Sequence, residues 1–548
     1  MKQWLKKNRF VVILAGIGIV CFFIYGFLAF TAPKEIFNSP DETANYVFSS
    51  AYSRGSMAMA EPDNLRVQGI IHPRSATVNE KGDIVPGYFL GLPIILGFLA
   101  KIFGSGIISF VTPIVSAITP LFFYWALKNI FEKKVAFISA LLLYFHPIFI
   151  YYSAKSLMPN VLFIDFLIIS LAFILNAGYK KGFKNQFRIK PILFYLLAGA
   201  FLGLAMSIRP SEFFWVVFLY LILFLFGIKK VNWPGLILGL LAAAAAQIPT
   251  LLENMALYGG YLKLGYNTRL LGVELDQGGV LGLLKSIFSW STVFPFGIKL
   301  AASANVFINY FWRFLGWYHL WLLPGLAASV VYLKFNWSRK IVYAIGILGV
   351  GAYLILYYGA YVFQDNINSS QISIGTSYLR YWLPLMIMIL PVMAYSIYAV
   401  WRLSEKFGLK IKAAFTILFF LILNLYTFQI VFAETNESLL AVKENLKKYD
   451  FIRENVLAVT EEDAIIICDR SDKIFFPKRQ VIVFQENYEI FPLINRIVSR
   501  RPVYFYTMLP PEDLNYLSQN KIAKRNWQFF IINRFDNFYL YKLIGDKD

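Results

Sequence analysis

Cysteine occurs only twice in this chain of 548 residues, at Cys21 and Cys468. Two thiols so far apart offer no disulfide framework and no metal-binding spacing. Histidine numbers three, and no cluster surrounds His72. Charge is scarce too: Asp, Glu, Lys and Arg make 15% of the residues, against about a quarter in an ordinary soluble protein. No internal repeat or low-complexity segment stands out. What fills the chain is apolar. Hydrophobic residues reach 58% and the mean hydropathy is +0.57. One or two soluble domains need a polar outside and cannot absorb this, so the excess must face lipid. Aromatics at 18% suit a bilayer body with interfacial belts. The net charge of +20 invites a nucleic-acid partner. Many Lys and Arg, however, fall in short runs between apolar stretches, the pattern of cytoplasmic loops, and no nucleic acid is expected.

A membrane helix needs about 20 mostly apolar residues. Eleven stretches qualify: 10–30, 106–127, 134–152, 159–177, 191–208, 211–227, 234–252, 306–333, 341–363, 378–401 and 410–432. The N-terminus carries Lys2, Lys6, Lys7 and Arg9, which assigns it to the cytoplasm. Counting crossings from there puts five later basic loops on the same side. They hold Lys128, Lys133 and Lys134; Lys180, Lys181, Lys184, Arg188 and Lys190; Lys229 and Lys230; Lys334, Arg339 and Lys340; and Arg402, Lys406, Lys410 and Lys412. The apolar segment 86–103 would invert all of them if it crossed. Its Pro86, Gly87, Gly91, Pro93 and Gly97 also make a poor continuous helix, so it reads as an interfacial helix on the outer face. The apolar core of the first segment is longer than the 7–15 residues of a signal peptide, which favours a retained anchor. The chain is thus expected to be a multi-pass protein of the plasma (inner) membrane.

Left outside are a first loop, 31–105; a short loop near 153–158; a large loop, 253–305; a loop near 364–377; and the tail, 433–548. Irregular chain is not tolerated in lipid, so these loops must pack on the outer face or line a cavity. In the tail, the runs 464–468, 481–484, 503–506 and 538–543 read as strands between helical stretches at 437–456 and 490–499. The expectation is an α-helical polytopic body, 1–432, with about eleven transmembrane helices, followed by a small extracytoplasmic α/β domain, 433–548.

Directly after the first span comes Asn38-Ser39-Pro40-Asp41-Glu42-Thr43. Two adjacent carboxylates at the membrane surface suit a general base working on a lipid-borne substrate. The same run is also an ordinary helix start, with Ser39 as N-cap, Pro40 behind it and acids in the first turn. The two readings are compatible, since a capped helix fixes the direction of Asp41. Glu42 is then either a surface carboxylate or a partner that orients the base.

This Pro-Asp-Glu-Thr run resembles the polyprenol-phosphate-sugar-dependent glycosyltransferases of the GT-C class. Its nearest likeness is the family of protein O-mannosyltransferases and the lipid A aminoarabinose transferase. In that family the Asp of the pair is the proposed base, which implies Asp41 here. The family's first loop carries a His-Pro element before an interfacial helix; here it reads His72-Pro73-Arg74. His146-Pro147 through Ser153 and Leu157-Met158-Pro159-Asn160 resemble the second outer turn. Members often have an acid where Asn160 stands, so a second acidic site and a divalent metal stay open, and no cofactor is fixed. Gly203-Leu204-Ala205 with Arg209-Pro210 resembles the family's Gly-Leu-Ala…Lys/Arg-Pro run, and Pro249, Asn254, Gly259, Gly265 and Tyr266 resemble a later one. Arg380-Tyr381-Trp382-Leu383-Pro384 resembles the Arg-Tyr-x-x-Pro element. The Trp-Trp-Asp-type signature of oligosaccharyltransferases is absent, and the tail matches nothing.

The resemblance implies a GT-C fold and an inverting displacement in which Asp41 deprotonates the acceptor. The donor would be a polyprenyl-phosphate sugar and the acceptor a lipid, glycan or protein. Arg74, Arg209 or Arg380 would hold the phosphate through bidentate hydrogen bonds, with His72, Asn160 and Tyr381 as further binding candidates. Each has a plainer alternative: Arg74 as a solvated loop charge, Arg209 and Arg380 as snorkelling helix-end residues, His72 as a structural hydrogen-bonder. Asp165, inside a span, is a functional candidate or the partner of a neighbouring helix. A transporter or flippase for lipid-linked glycans is the competing function. It should show inverted repeats and polar groups at the midplane; instead the polar candidates gather at outer helix ends.

Overall fold

The computed structural model describes residues 8–177, 189–266, 288–331, 336–363, 365, 372–403, 409–433, 436–485, 487, 489–517 and 528–544. Outside these lie Lys2, Lys6 and Lys7, the loop charges Lys180, Lys181, Lys184, Arg188, Lys334 and Lys406, and the middle of the large loop at 267–287. The chain forms two compact units. The first comprises 1–30, 109–248 and 268–441; the second comprises 31–108, 249–267 and 442–548.

The first unit is helical. Six described helices are long and apolar enough to cross a bilayer, and two bent helix pairs meet the same test jointly. The helices Arg9–Tyr25 and Val111–Leu127 are shorter. The segment expected as one span at 134–152 is broken: Lys133–Tyr144 and Pro147–Ala154 meet at 48°. Pro147 supplies no N–H and holds His146 in extended backbone (φ −69°, ψ 123°), which stops the first helix. The stretch 306–333 is likewise bent, by 78° at Leu315, where a π-helical turn, Ile308–Phe314, ends. Helix contacts rely on small residues and on polar groups turned inward. A Cβ on Gly199 would lie 1.8 Å from the Gly239 carbonyl oxygen, and one on Gly203 would lie 2.5 Å from that of Ala243. The helices Ile189–Ile208 and Trp233–Ala245 therefore touch backbone to backbone. Tyr144 Oη donates to the carbonyls of Leu14 and Ala117, both at 3.0 Å.

The second unit is built on a five-stranded sheet. Its strands are β3 (Ile465–Cys468), β4 (Gln480–Val483), β5 (Val503–Thr507), β6 (Gln528–Phe535) and β7 (Phe538–Ile544), following a small hairpin of β1 (Ala76–Val78) and β2 (Ile84–Pro86). The order is β4-β3-β5-β7-β6, with β3, β4 and β5 parallel and β7 antiparallel to both its neighbours. Alternation along β3 sends Ile465 and Ile467 to one face and Ile466 and Cys468 to the other. Both faces are covered, which is why these strands are apolar without interruption. The helix Ile490–Val498 packs Ile490, Ile494 and Ile497 on the first face. The second face receives Ala44, Val47 and Phe48 of the helix Pro40–Ser53 and Leu90 and Ile94 beside it.

The expected boundary at 432/433 thus does not isolate the sheet's core: nine of the 23 buried residues on its second face come from the first outer loop. The interfacial segment forms a helix only over Gly91–Phe103, 13 residues, well under the ~20 that a crossing needs. Gly97 lets it approach the Pro40–Ser53 helix, since a Cβ there would lie 2.5 Å from the Ser49 carbonyl oxygen.

Candidate active site

In the second unit, the helix Pro40–Ser53 starts with a complete capping box. Ser39 Oγ accepts from the Asp41 amide at 3.2 Å, and Glu42 Oε2 accepts from the Ser39 amide at 3.1 Å. This reciprocal pairing satisfies donors that a helix start leaves unpaired. Glu42 is buried, at 4% exposure. It is therefore not a surface carboxylate; its Oε2 caps its own helix. Asp41 is half-buried, and Ser75 Oγ donates to its Oδ1 at 2.6 Å. Among the described residues this is the one hydrogen bond to the Asp41 carboxylate. The Tyr88 hydroxyl lies within electrostatic reach of it, buried and without a hydrogen-bond partner among the described residues. Burial pushes the Tyr88 phenol well above its ordinary range, and Tyr258 and the Asp41 charge add in the same direction. It therefore stays a proton-bearing donor.

The loop that carries Ser75 is tied to the sheet. Ile71 and His72 bridge Ile482 on β4. His72 Nδ1 sits 2.8 Å from the Pro73 carbonyl oxygen, a local contact. Arg74 is committed to Asp472: its amide and its Nε donate to the two carboxylate oxygens, each at 2.8 Å, and its Nη2 donates to the Arg470 carbonyl at 2.8 Å. Asp472 is fully buried. This is the geometry of a structural ion pair, not of an arginine held out for a ligand.

The first unit gathers a separate charged cluster. Arg209 donates to Glu212 Oε1 through Nε at 2.9 Å and Nη2 at 2.6 Å. The Tyr358 hydroxyl also reaches Glu212, and Trp215 Nε1 donates to its Oε2 at 2.6 Å. Tyr358 stacks on Tyr381 with centroids 4.3 Å apart. Arg209 and Arg380 both lie over the Tyr381 ring, at 4.8 and 5.1 Å. Arg380 also donates to Ser377 Oγ at 2.8 Å and contacts Met158 Sδ at 2.9 Å, while Asp365 accepts from Ser377 N and Oγ, both at 2.7 Å. Asn160 is two residues from Met158, and its buried Oδ1 has no hydrogen-bond partner among the described residues. Trp215 lines an apolar cavity of about 90 Å³ with Ile164, Ile168, Leu219 and Met388. Asp165, wholly buried, accepts from Ser116 Oγ at 2.7 Å on the neighbouring helix Val111–Leu127.

The structure therefore brings Arg209, Arg380 and Tyr381 together and leaves Asp41, Glu42, His72 and Arg74 in the other unit. Sequence reasoning missed Glu212, Tyr358, Ser75, Asp472 and Tyr88. Glu212 alone carried a local signal, three residues after Arg209 beside Pro210. Among the described residues no group of three or more His, Cys, Asp or Glu gathers as a metal centre.

Residues 90–252 match the model of the dolichyl-phosphate-mannose-protein mannosyltransferase family. No curated protein sequence matches the chain. Among solved structures, an oligosaccharyltransferase, AglB of Archaeoglobus fulgidus, bound to an inhibitory peptide and a dolichol-phosphate, aligns with 92% of this chain and 70% of its own at 13% identity and a TM-score of 0.53. ArnT of Cupriavidus metallidurans, bound to undecaprenyl phosphate, aligns over 98% of both chains at 11% identity and a TM-score of 0.52. The chain is a multi-pass membrane protein with the GT-C fold. The resemblance read from its motifs is borne out at that level.

Proposed function

We propose that this protein is a glycosyltransferase that takes a sugar from a polyprenyl-phosphate donor and passes it to a lipid, glycan or protein acceptor on the outer face of the membrane. The observation that carries the proposal is the Asp41 carboxylate, set at a capped helix start and held by Ser75 at 2.6 Å, in a chain with the GT-C fold. Asp41 takes the proton of the acceptor hydroxyl as its oxygen attacks the anomeric carbon, and the bond to the carrier phosphate breaks with inversion. Such a base contributes about 10²–10⁴-fold. The Tyr88 hydroxyl is a ready donor for a sugar or acceptor oxygen. Arg209 and Arg380 are the phosphate candidates that fit best, because Arg74 is already paired with Asp472. The apolar cavity walled by Trp215 suits a segment of isoprenoid chain. In this reading the N-terminus is cytoplasmic and the sheet extracytoplasmic.

The test is label transfer. Protein in nanodiscs is incubated with undecaprenyl-phosphate hexoses and pentoses, radiolabelled in the sugar, and crude membrane acceptor. Wild type should transfer label and Asp41→Asn should lose at least 10²-fold. Transfer by both would remove Asp41 as base while keeping the class. Transfer by neither, from folded protein, would favour the flippase.

A further inference from the structure

The proposed base lies on a short helix whose start is gripped from two sides by consecutive residues of the tail. Asp472 fixes residue 74 by its backbone as well as its side chain: the Arg74 amide and Nε each donate to it at 2.8 Å. The next residue is Ser75, whose hydroxyl holds Asp41 at 2.6 Å. From the other side Ser75 is tied to the end of the β1–β2 hairpin, since the Gly87 amide donates to its carbonyl at 3.2 Å. Lys473 Nζ donates to the carbonyl of Asn38, the residue before the cap. A third tie lies one turn of chain earlier, where Arg453 Nη1 donates to the Glu35 carbonyl at 3.2 Å. The tail thus holds the residue before the cap that starts the helix and the residue before the serine that binds the carboxylate.

We propose that Asp472 and Lys473 are positioning residues for Asp41, acting through Arg74–Ser75 and through Asn38–Ser39; the inference rests on Asp41 being the base. It gives the sheet a task in the reaction: it orients the base and touches no substrate. A base must sit within hydrogen-bond reach of the proton it takes, and a displacement of about 1 Å costs on the order of 10²-fold in rate. The buried Asp472 carboxylate, with its two donors on one residue, is suited to hold that tolerance.

The experiment uses the full chain in nanodiscs as wild type, Asp472→Asn and Lys473→Met, each also combined with Asp41→Asn. Hydrogen exchange reads the clamp without any substrate. Amides of 38–46 and 72–76 should exchange at least tenfold faster in both variants, with the first unit's helices unchanged; unaltered exchange overturns the clamp. Label transfer from the undecaprenyl-phosphate sugar that wild type consumes reads the positioning. The expectation is a kcat lower by about 10²-fold for Asp472→Asn, donor KM within about twofold, and no further loss on the Asp41→Asn background, as expected of residues acting as one unit. A full loss that persists in that background overturns the link to Asp41. Wild-type activity in Asp41→Asn refutes the base assignment instead, and exchange still decides the clamp.

Discussion

Glu212→Gln separates a structural arginine from a phosphate-binding one. In the wild type Glu212 compensates Arg209 through two hydrogen bonds to Oε1, and it takes the Trp215 indole N–H on Oε2. The amide keeps the shape but removes the charge. It also sets an NH₂ against a donor: if Oε1 stays with Arg209, the new amide nitrogen faces Trp215 Nε1. Arg209 is 7% exposed, so its cation would be buried without a counter-ion. Removing one partner of a buried pair costs about 3–5 kcal/mol; the Tyr381 face at 4.8 Å and the Tyr358 hydroxyl at 3.0 Å argue for the lower end. The expected result is a clear drop in melting temperature without ligand. If Arg209 holds the carrier phosphate, undecaprenyl phosphate should restore more stability to Glu212→Gln than to wild type, because it brings the missing negative charge. At a hundredfold excess over Kd the linkage gain is about 2.7 kcal/mol. The assay is nanodisc melting with and without undecaprenyl phosphate, with Arg209→Gln as the control that should lose the response. Equal stabilisation of all three proteins would refute Arg209 as a phosphate ligand. An unchanged melting temperature in Glu212→Gln would refute the reasoning about the buried pair.

Ser75→Ala removes the 2.6 Å donor to Asp41; a hydrogen bond to a charged group is worth about 1.5–3 kcal/mol, so kcat should fall roughly 10- to 100-fold in the label-transfer assay. Gly199→Ala drives a methyl against the Gly239 carbonyl, which lies only 1.8 Å from the Cβ position; the helices must part, and overpacking of about 1–3 kcal/mol or more should appear as a lower melting temperature. Burial pushes the Glu461 carboxyl up, but hydrogen bonds from Lys542 and Tyr504, both at 2.7 Å, more than offset it and bring it down to about 2. A depressed folded value stabilises above the unfolded pKa of about 4.3 and is lost as pH falls toward 2. The gap between wild type and Glu461→Gln in hydrogen exchange of β5 and β7 should therefore close over that window, and a gap independent of pH would refute it.

Much of the architecture is written in periodicities that do not depend on long-range contacts. The apolar runs at 464–468, 481–484, 503–506 and 538–543 became β3, β4, β5 and β7; β3 and β5 are buried along their whole length, and strands covered on both faces must be apolar throughout. β6 escaped notice for the opposite reason. It is an edge strand, mostly exposed, and its Gln528-to-Phe535 sequence has no buried face to impose a pattern. The break at His146–Pro147 was legible in principle, since a proline and the residue before it both resist helix, but the hydropathy of 134–152 concealed it. What supplies the sheet's second face was not legible, because Ala44, Phe48 and Ile94 lie hundreds of residues away from Ile466.

The candidate site divides along the same line. Residues whose roles are set by neighbours in sequence could be read: Ser39, Pro40, Asp41 and Glu42 announce a capped helix, and the structure contains it to the last hydrogen bond of the capping box. Residues whose roles are set across the chain could not. Arg74 carries the same side chain as Arg209, and nothing local says that Asp472, almost four hundred positions on, claims one of them. Burial decides between such alternatives, because a charge withdrawn from water needs a partner or it is not stable there. Arg74 has its partner in a fully buried carboxylate. Arg209 has Glu212, and it also lies 4.8 Å from the Tyr381 ring that Arg380 approaches at 5.1 Å. In the reading proposed above, an arriving phosphate would be met by both guanidinium groups through charge-assisted hydrogen bonds. That convergence of two arginines on one ring, more than either arginine alone, is why the cluster is proposed as the anion site.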